Sequence, residues 1–169
     1  MPLTLDAETW QQRLAALPLA TFGEGETVFA EGTRTGQLLI LRSGLVSIVK
    51  GQTEIATVSE PGVVFGEISA LLDRPHTADV RALETSQFHV ADAAALLGQD
   101  PIALLYVATV LAQRLDAANQ AFIELRNQLY AGQPAGLIDK TMAKIEGLLG
   151  AIGDGYIRAG AGLSIFPPA

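Results

Sequence analysis

The stretch FGEISALLDRPHTADVRA, residues 65–82, sets a glycine and an acid ahead of a short run of helical composition. Backbone N–H groups at a helix start have no partner within the helix. They can point at an anion, and Gly66 has no side chain to block its approach. The carboxylate of Glu67 is wrong for a phosphate but right for a neighbouring sugar hydroxyl, which needs an acceptor. A phosphate beside a ribose is a nucleotide. In the same stretch His76 brings an imidazole that is largely neutral at pH 7, where a guanidinium would serve an anion better. Arg74 and Arg81 flank it and read as surface charges.

Positioning such a loop requires a framework, and the flanking sequence describes one. From Phe22 to Val64 the runs TVFA, QLLILR, LVSIVK and EIATVS are separated by Gly25, Gly32, Gly36, Gly44, Gly51 and Gly62. That texture predicts a small antiparallel barrel or sandwich. Val46 and Ile48 share one strand face and point to the pocket or the core. DVRALETSQFHVA reads as two further strands, with His89 an ordinary strand residue. Ahead of the barrel, Leu5, Trp10, Leu14 and Leu17 fall at helical spacing between a capping Asp6 and a terminating Pro18.

After the strands, Asp92 is placed to cap AAALLGQ, and Asp100 with Pro101 begins a longer helix towards Tyr130. Its positions Leu104, Ala108, Leu111, Leu115, Ala118, Phe122, Leu125 and Leu129 form an apolar seam of period 3.5, as in a coiled coil. The first turns of the seam are expected to pack on the barrel and the second half to pair with a second copy of the chain. Beyond AGQPAG, Ile138, Met142, Ile145, Leu149 and Ile152 mark another amphipathic helix, followed by a Gly-rich tail. The chain therefore divides at residue 130, with 1–130 one domain and 131–169 an appended helix and tail.

Composition removes several functions. With 11 basic and 18 acidic residues among 169, the net charge of -7 repels polyanions, so neither nucleic acid nor an anionic membrane is an expected partner. MPLTLDAETW lacks the pattern of a secretory signal, and YVATVLA is cut short by Gln113 and Arg114, so no membrane span and a cytoplasmic location are expected. There is no cysteine, hence no disulfide, thiolate or Cys-containing zinc site. Two histidines without close ligand spacing do not make a metal-dependent enzyme of the cupin kind. No catalysis and no cofactor are predicted.

The segments GETVFAEG, LILRSGLVSIV, PGVVFGEISALL and RPHTADVRA, in this order and spacing, resemble the cyclic nucleotide-binding domain family over roughly residues 10–130. The resemblance implies an α+β fold: an eight-stranded antiparallel jelly-roll barrel with a short N-terminal helix, a phosphate-binding cassette helix and long C-terminal helices, the last covering the purine. It implies that Gly66, Glu67 and Ile68 offer amides to the cyclic phosphate and that Glu67 accepts from the ribose 2'-hydroxyl. Thr77 matches the small hydroxyl residue that touches phosphate or base, and Ala78 closes the cassette. LAQRLDAAN resembles the lid helix of the catabolite activator branch and makes Asn119 the candidate for the base.

The sequence departs from the family at His76, where the phosphate-pairing arginine stands, and at Asp79, where a neutral residue is usual. A charge-assisted hydrogen bond contributes ~1.5–3 kcal/mol and a neutral one ~1, so the exchange is expected to weaken binding by one or two powers of ten without abolishing it. The implied function is that of a stand-alone receptor for a cyclic mononucleotide, cAMP in preference to cGMP, homodimeric through helix 101–130. It would signal to a downstream partner by rearranging its C-terminal helices. The competing function keeps the fold without a ligand, as a dimeric scaffold. DNA-binding relatives carry a winged helix after the long helix, and the Gly-rich residues after Tyr130 do not suit one.

Overall fold

QLLILR is apolar at four successive positions, too dense for a strand with one wet face. The computed structural model, which describes residues 7–130, shows both faces of this strand covered. In β3 (Gln37–Ser43), Leu39 and Leu41 point into the space between two sheets, beside Val46, Phe65 and Phe88. Leu38 and Ile40 point the other way, against helices that supply Trp10, Tyr106 and Val107. Alternation of side chains across the strand thus feeds two cores from one segment.

The elements follow in order as α1 (Ala7–Ala15), β1 (Leu19–Phe22), β2 (Thr27–Phe29), β3, β4 (Val46–Lys50), β5 (Thr53–Val58), β6 (Val64–Phe65), α2 (Glu67–Leu72), β7 (Asp79–Ala82), β8 (Ser86–Asp92), α3 (Ala93–Gln99) and α4 (Pro101–Tyr130). The eight strands make two antiparallel four-stranded sheets, ordered β1-β8-β3-β6 and β2-β7-β4-β5. β1 was not legible as a strand, since LATF has no alternation to mark it. Its pairing with β8, Leu19 opposite His89 through Phe22 opposite Ser86, creates it. Leu5, the cap at Asp6, the side chain of Leu129 and everything expected after Tyr130 lie outside the described residues.

The two predicted caps that fall among the described residues form. Asp92 accepts from the Ala95 amide at 2.8 Å, and Asp100 accepts from Ile102 and Ala103 at 3.0 and 3.3 Å, with Pro101 in the first turn. At the β3–β4 turn Gly44 has φ 110, and a β-carbon there would collide with Ser86, so the turn admits only glycine.

The rotation of α4 corrects one expectation. Its packed face is Ala103, Tyr106 and Val107, whereas the first seam residues, Leu104 and Ala108, are exposed. Two contacts of Tyr106 hold this rotation: its ring stacks on Trp10 at 4.2 Å, and its hydroxyl donates to the Gly62 carbonyl at 2.7 Å. Burial raises that phenol's pKa to about 12. The seam therefore runs beside the packed face, leaving Leu115 and Phe122 63% and 67% exposed.

The expectation that no segment meets the dimensions of a membrane span is also corrected. By length and composition alone α4 meets them over Pro101–Asn127, because mean hydropathy along the helix outweighs charges such as Arg114 and Asp116. The core helix of a folded domain passes the same test, and Arg114 itself is tied to the buried carboxylate of Glu67.

Candidate functional site

The turn from β6 into α2 is shaped by Gly66, at φ 91. A β-carbon there would lie 2.5 Å from the Gln37 carbonyl oxygen and 3.2 Å from the Phe29 ring, so this close approach of two backbones needs glycine. The turn delivers Glu67 as the first residue of α2, and its side chain goes inward to 3% exposure.

A buried carboxylate requires a partner, and α4 provides it. Arg114 donates through Nη1 to Glu67 Oε1 and through Nη2 to the Val64 carbonyl at 3.1 Å. Burial is the larger influence on Glu67 and raises its pKa; the Arg114 charge opposes it.

These groups border a cavity of about 400 Å³. Gly66, Glu67 and Ile68 line it, as do His76, Thr77 and Ala78. Ile48, Ile55 and Val80 come from the sheet, and Leu111, Arg114, Leu115 and Ala118 come from α4. Six of the seven expected ligand residues are thus brought together. The seventh, Asn119, is exposed on α4 and outside the lining; from this part of the helix it is Leu115 and Ala118 that border the open cavity. Ile48 lines the cavity while Val46, one strand repeat away, is fully buried in the core.

His76 is 7% exposed and has partners of its own. Its ring stacks on Phe29 at 4.1 Å, and Nε2 shares a 3.0 Å hydrogen bond with Thr35 Oγ1. Its backbone is stitched to the β2–β3 loop by bonds to Thr33 and from Gly32, at 2.8 and 2.9 Å. Burial lowers the imidazole pKa, so the ring is neutral at pH 7.

Asp79 is outside the lining. It accepts from the Glu31 amide at 2.7 Å and pairs with Arg81 at 2.6 Å, and these bonds, the amide first, lower its pKa. Its acid anchors the loop after β2. Neither Arg74 nor Arg81 borders the cavity, so neither replaces the missing cation there. His89 lies away from it, beside Leu14 and Arg42, with Nδ1 buried and unpartnered among the described residues and its pKa lowered chiefly by burial.

Sequence reasoning missed Arg114 and Phe29. Arg114 stands seven positions after Val107, which puts it on the packed face of α4, but that phase is visible only once the helix rotation is known. Phe29 reads as ordinary core. Among the described residues no three of His, Asp and Glu gather as a metal set.

Residues 19–99 match the family model described as the cyclic nucleotide-binding domain. Among solved structures, the catabolite activator protein of Thermus thermophilus aligns over 87% of this chain and 83% of its own, at 21% identity and a TM-score of 0.61. The N-terminal domain of a transcriptional regulator from Streptomyces coelicolor A3(2) aligns over 70% and 87%, at 26% identity and 0.54. A cAMP-bound PfPKA-R (141-441) aligns over 57% of this chain, at 25% identity and 0.50, and the match spans only 34% of that chain. No curated protein matches significantly.

Proposed function

Because residues 19–99 match the model of the cyclic nucleotide-binding domain, we propose that this protein is a receptor for a cyclic mononucleotide, with cAMP the first ligand to test. The observation that carries the reading is the convergence of Gly66, Glu67, Ile68, His76, Thr77 and Ala78 on one cavity. The similarity to a cAMP-bound structure supports the ligand class. In this reading the amides at the start of α2 hold the cyclic phosphate, and Glu67 Oε2 accepts from the ribose hydroxyl while Oε1 keeps Arg114. Arg114 is the single cation among the described lining residues and offsets the added phosphate charge.

Signalling follows from the same contact. Arg114 ties α4 to α2, so a ligand that adds its ribose to Glu67 and its phosphate charge beside Arg114 biases how α4 is seated. The exposed seam of Leu115, Ala118 and Phe122 suits a homodimer through α4. The composition fits a cytoplasmic protein that binds neither nucleic acid nor membrane, and the reading requires no catalysis or cofactor.

A second reading has its own support: Glu67 and His76 are both satisfied by protein partners, as a ligand-free dimeric scaffold would require. Calorimetric titration of cAMP into the full chain at pH 7 separates the two. Saturable heat with one site per chain, lost in Glu67→Gln, supports the receptor. No heat for any cyclic nucleotide, and none retained on purification, supports the scaffold.

A further inference from the structure

The packed face of α4 continues past Arg114. From Val107 it steps by threes and fours through Val110 and Arg114 to Ala117 and Ala121, and the two alanines are 4% and 2% exposed. Neither belongs to the two cores built by the described residues. Ala121 lies two turns beyond Arg114, about 10 Å further along the axis, while Phe122 beside it is 67% exposed. A face this dry on a helix with an exposed flank needs a cover from outside both cores.

The chain carries a matching surface. After α4 comes AGQPAG, and then Ile138, Met142, Ile145, Leu149 and Ile152 follow at intervals of four and three. Folded back as an antiparallel helix, this stripe meets α4 in a single register. Ile145 falls opposite Ala121, Leu149 opposite Ala117 and Ile152 opposite Arg114, and the midpoint of that register lies inside AGQPAG. Large apolar side chains thus face small ones and the aliphatic stem of an arginine. Alone, a helix of this length holding Gly147 and Gly150 is marginal in water, so the stripe needs a surface to fold on.

We propose that residues 138–152, outside the described residues, dock within their own chain as an antiparallel helix on the Ala117–Ala121 face of α4. The short link holds the segment at an effective concentration of ~mM, which favours its own chain over a second copy. The adjoining seam, with Leu115 and Phe122 exposed, is left for a second copy. The docked segment ends level with Arg114, beside the contact with Glu67, and owes nothing to what the cavity binds.

The chain has no cysteine, so introduced pairs report cleanly. Ala121→Cys with Ile145→Cys should oxidise to a disulfide within one chain, read as monomer mass on a non-reducing gel. Ala121→Cys with Gly147→Cys, moved ~200° round the second helix, should form about tenfold less. A disulfide between two chains from the first pair, or equal yields from both pairs, overturns the proposal. If neither pair forms, hydrogen exchange of the unmodified full chain decides. Exchange across 138–152 slowed about tenfold or more, and unchanged on about a hundredfold dilution, sustains the docking. Free exchange there, or protection lost on dilution, overturns it, the second outcome assigning the face to another copy.

Discussion

Arg114, midway along α4, reaches across to the buried carboxylate of Glu67 at the start of α2 and to the carbonyl of Val64 at the end of β6. One side chain thereby joins the long helix to both ends of the turn that carries Gly66. Taking charges from water is expensive, and the raised pKa of Glu67 shows that pairing does not fully offset its burial.

Removing one partner of this pair strands the other. Arg114→Met is expected to cost ~3–5 kcal/mol in a denaturant titration, whereas the double variant Arg114→Met, Glu67→Gln should cost at least ~1 kcal/mol less than the sum of the singles. Strict additivity would mean that the two groups are not coupled as the structure has them.

Gly66→Ala forces a β-carbon against the Gln37 carbonyl in a left-handed backbone and should destabilise by ~2 kcal/mol or more. Gly36 is also left-handed, at φ 68, but a β-carbon there meets nothing within 4 Å. Gly36→Ala should therefore cost only ~1 kcal/mol. Equal thermal shifts for the two variants would contradict the close approach at Gly66.

Much of this site was legible before any coordinates. Gly66, Glu67, Ile68, His76, Thr77 and Ala78 lie close in sequence, so one turn and one short helix determine their company. Arg114 was not, because it is distant in sequence and its relevance depends on how a helix is rotated against a sheet. Asn119 shows the same limit from the other side: one residue along a helix is a rotation of about 100°, enough to move a side chain from cavity to solvent.

The pH dependence has a definite sign. The folded pKa of His76 lies below its ordinary value of 6.5, so stability from its neutral, buried state is present above that value and is lost as pH falls through the folded pKa. An anionic ligand acts oppositely, raising the imidazole pKa, so affinity should increase as pH falls below about 6.5. His76→Arg should tighten binding at pH 7.5 by roughly tenfold and flatten the profile. An unchanged affinity and profile in calorimetry would show that residue 76 does not face the phosphate.

The exposed seam gives a test of assembly. Phe122 is 67% exposed on α4 and makes no part of the cavity lining. Phe122→Asp should convert a dimer to a monomer by sedimentation while leaving the unfolding free energy of the subunit, measured at a dilution where the parent is also monomeric, within ~0.5 kcal/mol of the parent. A parent that is already monomeric at high concentration would remove α4 as the interface.

What the chain alone determined is whatever its local order contains. Glycine spacing sets the turns, Asp92 and Asp100 set the helix starts, and the alternation of apolar residues sets which strands are buried on one face or two. These depend on neighbours a few residues apart, and such neighbours are always within reach. The tertiary structure alone decided that Tyr106 and Trp10 would hold α4 at one rotation, so that Arg114 entered the cavity and Asn119 did not. It also decided that His76 would rest on Phe29 and Thr35, since packing selects among surfaces that sequence leaves equally plausible, and a buried charge accepts only the partner that packing brings within bonding distance.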